Sequence, residues 1–215
     1  MSITSAWMGS NVLLIIPSLS YSDMTQRMVD YLATAPYDRV IAPEKGYGFA
    51  CRKAMLDNPG YDVYVLLDSD MAMNPKHVKE MIDYILCGWD IVVGSRQTKA
   101  AVVKRTWLRA KVSKAYNLMY NVLFDSELTE HLCGFRAYSG RVVREVIPLC
   151  IENHWIWQSE TVVLPQIMGY AVTEIPIEWT EYRYTKTPIK RLFKDIYQMG
   201  TRTIRLWCRW RRYAQ

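Results

Sequence analysis

The sequence predicts an α/β fold in which a mostly parallel sheet is covered by helices on both faces. Short apolar runs of strand length alternate with segments whose apolar residues recur every three or four positions, as they do in helices. Two of these runs, 12–16 and 63–67, are almost continuously hydrophobic, which is typical of strands buried on both faces. Half of the 215 residues are hydrophobic, which is enough for the sizeable core of one domain.

The individual elements follow from periodicity and from the residues that end each segment. Strands are predicted at 11–16, where Pro17 ends the run, and at 39–42, 62–67, 90–94 and 171–177. Helices are predicted at 22–34, 46–56, 74–86, 105–123, 142–147 and 158–168, and the segment 134–139 completes the body. Asn74 can cap the third helix and Pro75 suits its first position, where the missing N–H costs nothing.

Cysteine usage and hydropathy restrict the setting in which the protein works. The five cysteines are odd in number, widely spaced and contain no C-x-x-C pair, so neither a disulfide framework nor a zinc site is expected. A reducing, cytoplasmic setting fits this pattern. The N-terminus lacks the basic region of a signal peptide and no apolar run reaches spanning length, so we expect any membrane contact to be peripheral.

Positive charge is concentrated at the end of the chain. Residues 190–215 hold eight Lys/Arg and one Asp, whereas the preceding 189 residues hold nineteen basic and twenty acidic ones. We therefore predict a body at 1–188 and a basic amphipathic helix at 189–215. Its basic residues are Arg191, Lys194, Arg202, Arg205, Arg209 and Arg212, and its opposing apolar stripe is Leu192, Ile196, Met199, Leu206, Trp207 and Trp210.

A helix divided in this way suits the headgroup layer of an anionic membrane. Two alternatives stay open. The first half of the helix could pack on the body so that only its last turns are solvated, or the basic face could bind nucleic acid.

Two carboxylates, Asp68 and Asp70, come directly after the apolar run 63–67. Ligands in parallel α/β sheets bind at the carboxyl ends of strands, which is where this pair is expected to lie. On a chain that continues in extended form, both side chains point to the same side and can hold a divalent cation that still keeps water. Such an ion would neutralise a departing diphosphate, as transfer from a nucleotide-activated donor requires. The alternative is that one Asp caps a turn while the other faces solvent.

With these motifs in order along residues 11–200, the chain resembles the family 2 glycosyltransferases of GT-A fold, most closely the dolichol-phosphate mannose synthase type. The motifs are N11-V-L-L-I-I-P17, E44-K-G-Y-G-F-A-C-R-K-A54, L66-L-D-S-D-M71 with N74-P75, D90-I-V-V-G-S-R96, L108-R-A-K-V-S-K114, C133-G-F-R136, Glu160, and T173-E-I-P-I-E-W179 with Arg183 beyond it. The resemblance implies a Rossmann-like sheet as the catalytic domain.

The resemblance also implies roles for individual residues. Asp68 and Asp70 correspond to the carboxylates that hold Mg²⁺ or Mn²⁺ against the diphosphate of the sugar nucleotide. Arginine forks bind phosphate bidentately, and the family's phosphate-binding positions match Arg96, Arg109 and Arg183, with Ser113 as a further donor. The substrate-binding set implied by the resemblance is completed by Pro17, Lys45, Gly46, Arg52 and Lys186.

The chain departs from the family pattern at four places. It lacks the D-D-x-S segment that usually follows the second strand, so the base of the donor nucleotide stays open. It has Ala72 where close relatives often have a metal-binding Gln, and Glu130 where an Asp commonly precedes the G-F motif. The R-x-x-G-K-S loop is reduced to R183-Y-T-K-T187.

The acceptor decides whether a general base is needed. A hydroxyl must lose its proton to a base, whereas a phosphate arrives ionised and needs none. The resemblance makes Glu160 the first candidate base and Glu130 the second, and either could instead orient an arginine. Asp70 completes the predicted catalytic residues.

The sequence thus predicts an inverting, metal-dependent transferase that moves a hexose from a nucleoside-diphosphate sugar to a polyprenyl phosphate of the dolichyl type. It would work in the cytoplasm, peripherally at an anionic membrane surface, recruited by the C-terminal helix or by a membrane partner subunit. Two alternatives remain open at this point. The same chemistry could act on a hydroxyl of a glycan, protein or modified nucleic acid, or the chain could be a non-catalytic module that binds nucleotide sugars or membranes.

Overall fold

The computed structural model describes residues 10–19, 23–33, 35–181 and 189–211. In this part of the chain there are eight strands and seven α-helices. The strands are β1 (Val12–Pro17), β2 (Asp38–Ala42), β3 (Val63–Leu66), β4 (Ile91–Ser95), β5 (Val102–Lys104), β6 (Arg136–Ser139), β7 (Val172–Pro176) and β8 (Glu178–Thr180). The helices are α1 (Asp23–Tyr31), α2 (Tyr47–Asp57), α3 (His77–Leu86), α4 (Trp107–Phe124), α5 (Gly140–Glu145), α6 (Trp157–Ile167) and α7 (Ile189–Trp210), with a short 3₁₀ turn at Ile147–Leu149.

The main sheet has six strands in the order β2-β1-β3-β6-β4-β7. All neighbours are parallel except β6, which runs antiparallel to both β3 and β4. The residues of β3 and β4 are buried throughout, as expected when helices cover both faces of a sheet. The predicted mostly parallel α/β architecture is confirmed.

Two features differ from the sequence prediction. A second sheet of two short parallel strands, β5 and β8, lies beside the main one. The third helix begins at His77 and not at Asn74, because the Asn74 N–H donates to the Glu178 carbonyl and ties this segment to β8. The Asn74 side chain still accepts the Lys76 N–H at 3.1 Å, so it caps the turn that leads into α3.

Helix α7 packs against α4 and α6 through its second half. Leu206 and Trp210 are 0% and 1% exposed, and the Thr203 hydroxyl lies 3.0 Å from the Tyr120 hydroxyl of α4. The predicted apolar stripe is therefore divided, since these two residues face the body while Ile196 remains 44% exposed. The alternative in which the last turns are solvated is wrong, because Leu206 and Trp210 in those turns are buried.

None of the helices in the described ranges combines the length and the apolar character that a bilayer crossing requires.

Candidate active site

Strand ends bring polar side chains to one edge of the main sheet. Because β6 runs antiparallel to both β3 and β4, its beginning lies at the same edge as their ends. Asp68 follows β3, Arg96 follows β4, and Gly134 precedes β6. Pro17 closes β1 at this edge as well. The sheet topology therefore gathers four predicted motifs at one place.

The Asp68/Asp70 pair lies in a tight turn against the loop before β6. Asp70 Oδ1 accepts the Ala72 N–H at 3.1 Å, and Met71 has a left-handed φ of 52°. A Cβ atom at Gly134 would lie 2.3 Å from Asp68 Oδ1, so only glycine allows this loop to lie against the carboxylate. Gly134 lies within the C133-G-F-R136 motif but was not among the predicted site residues.

The surroundings of Asp68 disfavour its ionisation. Burial, followed by the nearby Asp70 carboxylate, raises the pKa of Asp68 to about 6. The positive charge of Arg96, a hydrogen bond from the Tyr47 side chain and the charge of Arg136 act in the opposite direction but do not cancel the rise. Asp68 is therefore protonated more readily than an exposed aspartate.

This pair fits a hard divalent cation. Within the described ranges no group of three or more His, Cys, Asp or Glu residues converges, so the protein offers two carboxylates and not a closed cage. Mg²⁺ commonly binds through one or two carboxylates and takes its other ligands from water and substrate phosphates. A cation here would also relieve the repulsion that raises the pKa of Asp68.

Arg96 is held by a buried carboxylate. Its Nε and Nη2 donate to the two oxygens of Glu130 at 2.9 and 3.0 Å, and its guanidinium carbon lies 4.9 Å from the centre of the Trp179 ring. Burial favours the neutral form of Arg96, but Glu130 outweighs it and raises the pKa of Arg96 above its usual value. The side chain of Glu130 is fully buried, and this contact fits the alternative in which Glu130 orients Arg96.

Two further arginines lie close to Arg96. Arg109 on α4 forms an ion pair with Glu181, and its carbonyl accepts Arg105 Nη2 at 3.0 Å. Arg105 Nη1 is enclosed and has no hydrogen-bond partner among the described residues. Burial and the charge of Arg96 lower the pKa of Arg105. Arg105 was not among the predicted site residues, although it lies four positions before the predicted Arg109.

Ser113 lies one turn beyond Arg109 on α4 and accepts Gln97 Nε2 at 3.2 Å. Gln97 is the residue after Arg96, so this bond ties the helix to the segment that carries Arg96. We name Arg96, Arg105 and Arg109 the arginine cluster. Within the described ranges, its three positive charges meet two carboxylates, those of Glu130 and Glu181. Among these described residues, positive charge is therefore in excess.

The other side of the site is formed by the start of α2 and the loop 150–156. Arg52 donates to the Cys150 carbonyl at 2.6 Å and to Asn153 Oδ1 at 2.7 Å. Because both bonds brace this loop, they do not support the prediction that Arg52 contacts substrate directly. Gly46, with φ of 102°, lets the Asn153 carbonyl approach closely, and Lys45 beside it is exposed.

Tyr47 connects this loop to the carboxylate pair. The Trp155 ring stacks on the Tyr47 ring with 4.6 Å between their centres, and the Tyr47 hydroxyl donates to the Gly134 carbonyl at 3.4 Å. Trp155 itself is 59% exposed. An isolated aromatic residue in a sequence gives no signal of such a bridging position.

Glu160 is enclosed between α6, α7 and the loop 150–156. Its carboxylate accepts the backbone N–H groups of Ile151 and Glu152 at 2.9 to 3.0 Å and the Trp210 indole N–H at 3.3 Å. The side chain is fully buried. These contacts do not support its prediction as a base in the cleft and instead give it the structural role that was the alternative.

Arg183 and Lys186 lie outside the described residues, so the predictions for them stay predictions. Arg136, at the end of the C133-G-F-R136 motif, was also not among the predicted site residues. It is buried and donates to the carbonyls of Cys133 and His131 at 2.6 and 2.8 Å, and it also donates to the Gln158 carbonyl. Arg136 thus positions the loop that lies against Asp68.

The raised pKa of Asp68 predicts a pH-dependent stability in the absence of added metal. An unfolded aspartate has a pKa of about 3.9, so above about pH 6 the folded state bears the cost of ionising Asp68 near Asp70. We expect Asp68→Asn to raise the free energy of unfolding at pH 8 by on the order of 1 kcal/mol, with the gain vanishing near pH 4. Urea unfolding at both pH values measures this, with the exposed Asp57→Asn as control. Destabilisation by Asp68→Asn at pH 8 would contradict the electrostatic description.

Comparison with known proteins gives the family of the chain. No family model matches it. Glycosyltransferase AglD of Haloferax volcanii is 32% identical over 190 residues, which are 86% of this chain and 30% of AglD. Polyprenol monophosphomannose synthase of Mycolicibacterium smegmatis is 25% identical over 173 residues, which are 74% of this chain and 63% of the synthase. The chain therefore spans less than two thirds of the length of either relative.

Solved structures support the same fold. Glucosyl-3-phosphoglycerate synthase from Mycobacterium tuberculosis, solved with Mn²⁺, UDP-glucose and phosphoglyceric acid, superimposes with a TM-score of 0.70 at 12% identity. The match covers 95% of this chain and 82% of that one. The sequence relatives and the motifs at the sheet edge show that the chain belongs to the family 2 glycosyltransferases of GT-A fold, near the dolichol-phosphate mannose synthase type.

Proposed function

We propose that the protein is an inverting, metal-dependent hexosyltransferase that uses a nucleoside-diphosphate sugar and a polyprenyl phosphate of the dolichyl type. The observation that carries this proposal is the arginine cluster beside the Asp68/Asp70 pair at one sheet edge. An acidic pair suits a cation-bound diphosphate, and a cluster with excess positive charge suits a second phosphate. A reaction between two phosphate-bearing substrates needs both.

The donor is bound on the carboxylate side. Asp68 and Asp70 would hold Mg²⁺ or Mn²⁺, and when bound the cation supplies neutralising charge for the diphosphate that leaves. Tyr47, through its contact with Gly134, keeps the loop before β6 against Asp68. The positive charge of Arg96, which acts on Asp68, lies between the donor and acceptor sides.

The acceptor phosphate is bound on the arginine side. Its oxygen forms a bond to the anomeric carbon of the sugar while the bond from that carbon to the diphosphate breaks, and the nucleoside diphosphate leaves with the electron pair. One displacement of this kind inverts the configuration at the anomeric carbon. Arg96 and Arg109 orient the attacking phosphate by charge-assisted hydrogen bonds, and Arg105 offers an unpaired donor.

The positions of the glutamates favour a phosphate acceptor over a hydroxyl. Glu130 is committed to Arg96, and Glu160 is committed to backbone amides and Trp210. A hydroxyl acceptor would need one of them, or another group, as a base, whereas a phosphate needs none. The names of relatives agree, since one is a polyprenol monophosphomannose synthase and another, 30% identical over 144 residues, is a dolichyl-phosphate hexose transferase of Haloferax volcanii.

Transfer of labelled sugar to paired acceptors tests the function. We expect product with a polyprenyl phosphate and Mn²⁺ or Mg²⁺, and none with the polyprenol of the same chain length, because the alcohol cannot occupy the arginine cluster as an anion. A panel of UDP- and GDP-hexoses supplies the donors. Glycosylation of the alcohol or of a glycan hydroxyl without any transfer to the phosphate would contradict the acceptor assignment.

Arg105 gives a sharper prediction within the same assay. If its free donor binds the acceptor phosphate, Arg105→Gln should raise the KM for polyprenyl phosphate by about tenfold and leave the KM for the donor unchanged, because a hydrogen bond to a charged group is lost. The matched control is Arg141→Gln, an exposed arginine on α5. An unchanged acceptor KM, or an equal rise in both KM values, would contradict this role.

A further inference from the structure

The outward face of α4 is apolar and basic. Trp107, Leu118 and Val122 are 70%, 64% and 75% exposed, and Lys111 is exposed between them. At 3.6 residues per turn these four side chains fall within about 60° of one another around the helix. The opposite side of α4 is buried in the body through Ser113, Tyr116, Asn117 and Tyr120. We name the four exposed side chains the outer α4 face.

Charge along the segment that carries this face is of one sign as far as Asp125, the exposed residue that ends α4. No Asp or Glu occurs from residue 91 to residue 124, a stretch that holds seven Lys/Arg. The exposed lysines in it are Lys99, Lys104, Lys111 and Lys114, and none of them forms an ion pair within the described part of the chain. Two carboxylates approach from the β8 side, but Glu178 pairs with Lys76 and Glu181 with Arg109. The face therefore presents uncompensated positive charge beside exposed apolar side chains.

The outer α4 face adjoins the arginine cluster. Arg109 belongs to α4 itself, and Arg105 stands two residues before Trp107. Val102 on β5 is 58% exposed and Leu108 is 46% exposed, so the apolar surface continues along the chain on both sides of Arg105. A phosphate bound by the cluster would thus lie at the end of a surface that itself suits a lipid environment.

We propose that the outer α4 face rests in the headgroup layer of an anionic bilayer, so that a lipid-linked phosphate enters the arginine cluster from the membrane. This proposal rests on the proposed function. Tryptophan and lysine suit the interface because one is amphipathic and the other attracts anionic lipid, while Leu118 and Val122 reach the acyl boundary. Helix α7 was the predicted membrane contact, but its residues Leu206 and Trp210 are packed on the body.

Vesicle binding of the full chain tests the proposal. The vesicles contain phosphatidylcholine alone or with phosphatidylglycerol, and bound protein is measured by flotation. We expect binding to the anionic vesicles only, and a loss of about tenfold or more in Trp107→Ala/Leu118→Ser. The matched control is Trp89→Ala/Leu56→Ser, which removes the same residue types at positions that are 37% and 42% exposed.

Two competing surfaces are separated in the same experiment. If Tyr197→Ser/Ile204→Ser on the exposed side of α7 abolishes binding while the α4 variant binds normally, the proposal is wrong. It is also wrong if wild type binds no vesicles and sedimentation finds instead a dimer that the α4 variant loses.

The experiment distinguishes failure of this proposal from failure of the proposed function. Transfer to a short, water-soluble polyprenyl phosphate should proceed equally in wild type and in the α4 variant, whose residues lie outside the catalytic groups. If no variant transfers sugar but vesicle binding is intact, the proposed function is contradicted and the membrane-binding proposal is supported. If transfer is normal but the protein binds no vesicles, the membrane-binding proposal is contradicted and the proposed function is not.

Discussion

The burial of Asp68 beside Asp70 is the constraint on which the rest of the site depends. The sheet topology brings the loop before β6 against Asp68, and Gly134 is needed because a Cβ atom would collide with the carboxylate. Arg136 is buried and holds this loop by donating to its carbonyls. Keeping the two carboxylates together therefore lowers the stability of the fold, which is common at sites that bind a positive ligand.

The positive charges of the site are supported separately. Glu130 pairs with Arg96 and Glu181 with Arg109, so each arginine is oriented by its own glutamate. The buried ion pair of Arg96 with Glu130 adds little to stability but fixes the direction of the guanidinium group. The result is an acidic side and a basic side at one edge of the sheet, with Arg96 paired to Glu130 and its charge also acting on Asp68.

The described parts of the fold and site differ in how far the sequence could predict them. The alternation of apolar runs and helical periods predicted five of the six strands of the main sheet because those patterns are local, whereas β6 lies in a segment to which no element type was assigned. The pair Asp68/Asp70 was predicted because it directly follows a buried strand, and Arg96 was predicted from the resemblance to the family. The strands β5 and β8 were missed, since each has three residues and no periodicity can be read from so short a segment.

Long-range packing explains the remaining differences. The resemblance made Glu160 a candidate base. Its burial could not be predicted, because the residue that covers it, Trp210, is fifty positions away in the sequence. Arg52 was predicted as a substrate contact from the resemblance, but each of its two terminal nitrogens donates a hydrogen bond to the loop at 150–153. Gly134 and Arg105 owe their importance to neighbours that are distant in sequence or enclosed, and no local pattern marks them.

The central claim is that the carboxylate pair binds a sugar nucleotide through a divalent cation. Calorimetric titration of UDP- and GDP-sugars, with and without Mn²⁺, on wild type and Asp70→Asn tests it most directly. We expect one donor to bind, only with Mn²⁺, and to bind about tenfold or more weakly to Asp70→Asn, while Asp57→Asn behaves as wild type. Binding that ignores both the metal and Asp70, or no binding of any donor, would contradict the account.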